Sequence, residues 1–211
     1  RGPGGAARGV WLILGAGVDL AQRAGRGRIA VRARRLLRLP RADWGKAVAH
    51  AGLGIIFIGI AGMTAWQQEV IRVARVGESF ALGAYNVRLA EVKREEGPNY
   101  LTTLAVMEVS RDGRPFATLT PEKRVYPVAG MPTTEAAIHN GFWRDIYLVI
   151  GDPQQNGGWA VRGYVKPLAN WIWGGAIVMG LGGLLSLSDR RYRVAAGARR
   201  AAGDGAKVPA E

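Results

Sequence analysis

The stretch AVAHAGLGIIFIGIAGMTAW, residues 47–66, decides what kind of protein this is. Among its twenty residues only His50 and Thr64 are clearly polar. A helix rises about 1.5 Å per residue, so roughly 20 apolar residues cross a hydrocarbon core of about 30 Å. The run therefore predicts a transmembrane helix. A second run, residues 168–187 (LANWIWGGAIVMGLGGLLSL), is interrupted only by Asn170 and Ser186 and predicts another. A third, Val10 to Val18, is shorter and is closed by Asp19, so residues 1–22 read as the end of a further span.

The mean hydropathy of +0.01 hides this segregation, and so does the net charge of +13. Residues 23–46 carry nine Lys/Arg against one acid, Asp43, and the tail from Asp189 carries six against three. Between the two long runs, residues 67–167 hold twelve against eleven. The excess thus flanks the spans on one side, which is the positive-inside pattern. Topology and anionic headgroups account for the arginines, so membrane lipid is the expected partner and nucleic acid is not. Trp44 and Trp66 bracket the first long run, and Trp171 and Trp173 stand at the start of the second, as rings at a membrane interface would. The chain has no cysteine, which excludes disulfides, Cys-ligated metals and the C-x-x-C-H haem attachment motif within it. It starts at Arg1 with no signal-peptide pattern, and the expectation is a C-terminal piece of something longer.

The expected order is the end of a transmembrane helix (1–22), a basic cytoplasmic loop (23–46), a span (47–66), an outer domain (67–167), a closing span (168–187) and a basic, disordered cytoplasmic tail (188–211). The outer domain reads as antiparallel all-β, a sandwich or barrel. EVIRVARV, YNVRLAEVKREE and NYLTTLAVMEVS alternate with period two, RDG after Ser110 is a turn signal, and PQQNGG separates DIYLVIGD from WAVRGYVKP. The longest helical period in it is TTEAAIH, residues 133–139.

A histidine inside a membrane is costly and usually faces the protein interior, a cavity or a bound group. The helical period puts His50, Gly54, Phe57 and Ala61 on one face. There Gly54 would leave room beside an imidazole-bound macrocycle and Phe57 would pack against it. Gly52 and Gly59 lie on the opposite side, where glycine serves close helix packing. A hydrogen bond from His50 to a neighbouring helix is the competing reading. Lys46, one turn earlier, fits either a propionate partner or a snorkelling interfacial lysine. His139 reads as a surface-loop histidine. No hydrolase triad, carboxylate pair or phosphate loop is visible.

HAGLGIIFIGIAG, MPTTEAAIHNGFWRDIYLVIGDP and above all WAVRGYVKPLANWIWGGAIVMGLGGLLSLSDRRYR resemble the C-terminal part of the CcmF family of cytochrome c-type biogenesis proteins, which also includes CycK and NrfE. The resemblance runs from about residue 8 to Arg193. It implies a membrane haem lyase subunit of the bacterial inner membrane, with the central domain in the periplasm. It also implies a membrane haem b for which His50 is one axial ligand, the second lying outside this chain. In that family the haem relays electrons, with quinol as the source, for attachment of haem to apocytochrome c. A haem chaperone and other maturation subunits are the implied partners. The family's Trp-rich periplasmic haem signature is absent here, so no catalytic residue is assigned and His139 receives no ligand role. The alternative is a membrane-anchored β-domain acting as a non-catalytic assembly module.

Overall fold

The computed structural model describes residues 2–189 apart from positions 129 and 156; the predicted disordered tail, from position 190 on, lies outside the described residues. The chain divides into a helical unit, residues 3–58 and 171 onward, and a β-unit, residues 59–170.

Four helices are formed: α1 (Gly2–Ala24), α2 (Ile29–Leu37), α3 (Arg41–Ala65) and α4 (Ala169–Leu187). Only α3 and α4, among the described residues, are long and apolar enough to cross a membrane. The helix carrying the apolar run begins at Arg41, six residues before the run itself. Pro40 sets its start, accepting from the amides of Asp43 and Trp44 at 3.1 and 3.4 Å. The Asp189 carboxylate, just past α4, accepts from the Ala42 amide at 3.1 Å. A carboxylate there satisfies an orphan donor and meets the positive end of the helix dipole. The basic loop expected at 23–46 is itself partly helical, because α2 fits between the ends of α1 and α3.

α3 and α4 run against each other along small residues. A β-carbon on Gly52 would stand 2.5 Å from the Met179 amide nitrogen and 2.7 Å from the Gly175 carbonyl oxygen. One on Gly175 would lie 2.7 Å from the Gly52 oxygen, and β-carbons on Gly45 and Gly182 would overlap the facing backbone. Gly45, Ala49, Gly52 and Ile56 on one helix meet Gly175, Met179, Gly182 and Ser186 on the other, both sets at the 4-3-4 spacing of a heptad seam. Where lipid is as apolar as leucine, such backbone approach is what brings helices together.

The β-unit is an antiparallel sandwich. One sheet has the order β1 (Gln68–Ala74), β10 (Trp159–Pro167), β9 (Arg144–Pro153), β8 (Ala137–His139). The other has the order β2 (Ser79–Leu82), β3 (Tyr85–Glu96), β4 (Leu101–Arg111), β6 (Glu122–Tyr126), β7 (Met131–Glu135), with β5 (Arg114–Leu119) on β4. The alternation in the sequence buries Leu82, Val87, Leu89, Met107 and Val109 from one sheet against Ile146, Leu148, Ile150 and Val161 from the other. Asp112 and Gly113, at φ 51° and 74°, make the tight turn from β4 to β5 that RDG signals. TTEAAIH is strand, not helix: Thr134 pairs with Lys123 and Ala137 with Leu148, so cross-strand pairing overrides a short helical period.

β1 and β10 are neighbours, Gln68 opposite Val165, so the chain enters and leaves the β-unit at one end. That end is braced. The buried Asp145 carboxylate accepts from the Gly141 amide at 2.9 Å and from Asn170 Nδ2 at 3.0 Å. Asn170 Nδ2 also donates to the Gly141 carbonyl at 3.0 Å, and Leu168 N–H donates to the Trp143 carbonyl at 2.8 Å. Leu168 sits at φ 58°, with its side chain over Gly62, where a β-carbon would come within 2.7 Å of Cδ1.

Candidate functional site

His50 lies in the third turn of α3 and is exposed. Its Nδ1 is 2.8 Å from the carbonyl oxygen of Lys46, one turn back. A carbonyl only accepts, so Nδ1 is the donor, and in the neutral ring the lone pair sits on Nε2. The same bond fixes the ring's orientation. Metal-bound imidazoles are generally held this way, one nitrogen donating to a backbone oxygen and the other free for the metal. No hydrogen bond runs from His50 to another helix among the described residues.

The remaining expectations for that face separate. Phe57 stays on it, half-buried, two turns along from His50. Gly54 does not offer open space: a β-carbon there would stand 2.7 Å from the Gly9 carbonyl oxygen and 2.7 Å from Ile13 Cγ1. Its place beside the histidine is filled by α1, so Gly54 is a helix-packing glycine in this chain, and the room expected for a macrocycle is not there. Gly52, on the other side, packs on α4 as described above. The seam with α4 and the contact with α1 occupy two sides of α3 and leave the arc of His50, Phe57, Ile60 and Thr64 outside both.

Lys46 Nζ pairs with Asp19 of α1 at 3.1 Å, and Arg23 bridges Asp19 at 3.2 Å and Asp43 at 2.8 Å. Lys46 is therefore engaged within the chain through its ammonium, and it serves His50 through its carbonyl. His139 is not in a loop: it ends the short strand β8, half-buried, with its ring edge-on to Phe116 at 4.9 Å. Among the described residues no group of three His, Cys, Asp or Glu converges to hold a metal, which leaves His50 as a single donor.

Two features of the site escaped the sequence reading. The 4-3-4 spacing of Gly45, Ala49, Gly52 and Ile56 on α3, repeated by Gly175, Met179, Gly182 and Ser186 on α4, is a legible signal of one packing face on each helix, though not of the α1 contact at Gly54. The Asp189 cap joins residues 147 apart and has no local signature. On the β-unit, a groove of about 490 Å³ runs beside Arg88, Glu108, Ser110 and Phe116, with Arg88 and Glu108 paired at 3.4 Å. Burial and, secondarily, the charge of Asp145 push the Tyr147 phenol above its usual range, and Lys166 Nζ lies 4.3 Å over its ring.

Residues 65–167 match the family described as CcmF C-terminal beta-sandwich. The chain is 59% identical over 198 residues to the cytochrome c-type biogenesis protein ccl1 of Rhodobacter capsulatus, covering 94% of this chain and 30% of that protein. It is 41% identical to the cytochrome c-type biogenesis protein CcmF of Pseudomonas aeruginosa, covering 87% of this chain and 28% of the relative. To the CcmF of Escherichia coli it is 43% identical, covering 71% and 23%. The chain thus spans about a third or less of the length of these relatives. A solved structure named Cytochrome c Heme Lyase CcmF shares the fold with a TM-score of 0.59 at 18% identity, over 85% of this chain and 34% of that one. The chain belongs to the CcmF family of cytochrome c-type biogenesis proteins and corresponds to its C-terminal part.

Proposed function

We propose that this chain is the C-terminal part of a membrane haem lyase subunit of cytochrome c maturation, and that His50 supplies one axial ligand to a membrane haem b. The observation that carries the reading is the His50 ring itself. It is exposed on an apolar helix, bonded through Nδ1 to the Lys46 carbonyl, and so left with a bare Nε2. Phe57 would flank the macrocycle, and a second imidazole would come from outside this chain. When bound, such a haem supplies one-electron chemistry whose potential is set by its axial ligands and surroundings. The residues here would orient the ring and, in its neutral form, favour the tautomer that carries its proton on Nδ1 and presents Nε2 to a metal.

On this reading α3 and α4 cross the bacterial inner membrane with their basic ends in the cytoplasm, and the sandwich stands in the periplasm. Quinol is the proposed electron source and apocytochrome c the acceptor of the haem. The haem chaperone and the other maturation subunits are the partners. The sandwich serves as scaffold and docking surface.

The test is the optical spectrum of the full-length protein in detergent. It should show a low-spin b-type haem that His50→Ala strongly weakens. His50 is exposed, so the variant should melt as the parent does; an unchanged spectrum in a folded variant would remove the ligand role.

A further inference from the structure

We infer that α2 lies in the plane of the membrane surface and binds anionic phospholipid headgroups through its arginines while Ile29 and Leu37 enter the acyl boundary. The inference rests on α3 and α4 being membrane spans. The helical period puts Ile29, Ala33, Leu36 and Leu37 on one face of α2, with Arg28, Arg32, Arg34, Arg35 and Arg38 distributed around the rest. Ile29 is 86% exposed and Leu37 83% exposed, and none of the nine residues is buried. A nine-residue helix falls short of the roughly 12–15 residues at which isolated helices become even marginal in water, so a helix this short needs a surface to lie on.

Its placement says which surface. Arg35 Nη1 donates to the Ala24 carbonyl at 3.3 Å and the Arg26 carbonyl at 3.4 Å, and Trp44 Nε1 donates to the Leu36 carbonyl at 3.1 Å. Both contacts come from the last turn of α2, which is thereby tied at once to the end of α1 and to the first turn of α3. It is held at the mouth of a membrane span with its aliphatic side chains outward. Arg28, Arg32, Arg34 and Arg38 have no acidic partner among the described residues. The four guanidiniums of Arg28, Arg32, Arg34 and Arg38 and an aliphatic stripe, at the level where a span leaves the bilayer, complement an anionic headgroup layer over acyl chains. Long arginine stems let both requirements be met by one short helix.

The test uses the full-length protein, free of other cysteines, in nanodiscs of phosphatidylcholine with or without phosphatidylglycerol. Leu37→Cys and, separately, Ile29→Cys carry an environment-sensitive fluorophore. The expected result is blue-shifted emission quenched by acyl-brominated lipid, stronger with phosphatidylglycerol. Joint Arg32→Gln, Arg34→Gln and Arg38→Gln substitution should abolish that lipid dependence. Quenching by aqueous iodide alone, or shielding from both quenchers as under a protein partner, would overturn the proposal. Impermeant maleimide labelling of Arg38→Cys and Arg114→Cys in sealed vesicles separates the two readings. Opposite sides with an unquenched α2 overturns this inference alone, and the same side overturns the spanning arrangement with it.

Discussion

Replacing Gly52 by alanine should force the α3/α4 seam apart, and the size of the effect follows from its geometry. The new β-carbon would stand 2.5 Å from the Met179 nitrogen, 2.7 Å from the Gly175 oxygen and 2.9 Å from the Met179 α-carbon. All are backbone atoms, which cannot rotate away. Ordinary van der Waals contact begins at 3.4 Å, so against the 2.5 Å contact the helices must part by roughly 0.9 Å. A gap of about 0.5–1 Å already forfeits a quarter to a half of the dispersion at each contact, and here the loss extends to Gly45, Gly175 and Gly182. Overpacking of this kind typically costs about 1–3 kcal/mol. The control is Gly180→Ala on the same seam's helix, where nothing lies within 4 Å of the added carbon. That change should be neutral or stabilising by up to about 1 kcal/mol, because glycine is the weaker helix former. Both variants of the full-length protein would be compared by thermal unfolding in one detergent. If Gly52→Ala and Gly180→Ala shift the midpoint equally, or Gly52→Ala does not lower it, the close seam is not what holds these helices.

Asp145→Ala leaves the Gly141 amide without its buried acceptor and takes one of two acceptors from Asn170, so the β-unit should lose about 1–3 kcal/mol and Gly141 its protection from amide exchange. An unshifted melt with retained protection would show the bracing to be dispensable. Asp189→Ala should cost about 1 kcal/mol by uncapping Ala42 at the start of α3, with Asp189→Asn recovering most of it; equal losses in the two would point away from a cap. Tyr147 should ionise above the ordinary phenol range, and Asp145→Asn should bring it part of the way down, leaving the larger contribution of burial. Because the folded state holds that proton longer than the unfolded chain, the phenol's contribution to stability should decline as pH rises beyond about 10, measured by ultraviolet difference titration beside a melt.

Much of the architecture is legible in the residues. The apolar runs announce α3 and α4 because length and polarity alone decide whether a helix suits a bilayer, and period-two alternation with DG and NGG turns announces an antiparallel sheet. The helical face of His50 and Phe57 follows from the 3.6-residue period. Boundaries were less legible: α1 and α3 extend beyond their apolar runs, and a helix forms inside the stretch that composition marks only as basic. Charge density says where a segment sits and little about its backbone.

By itself, then, the sequence determined the class of each segment, the side of the membrane expected for each charge cluster, and which face of α3 His50 occupies. Those properties are periodic or compositional, and a chain carries them before it folds. Only the tertiary structure decided what stands opposite each face. Gly54 and Gly52 are the same residue two positions apart, yet one meets α1 and the other α4, and neither assignment can be read without the partner helix in place. The free Nε2 of His50 is a local bond to Lys46, but its openness is a result of both neighbours packing elsewhere. TTEAAIH became strand because Lys123 and Leu148, each on a neighbouring strand outside the stretch itself, were there to pair with it.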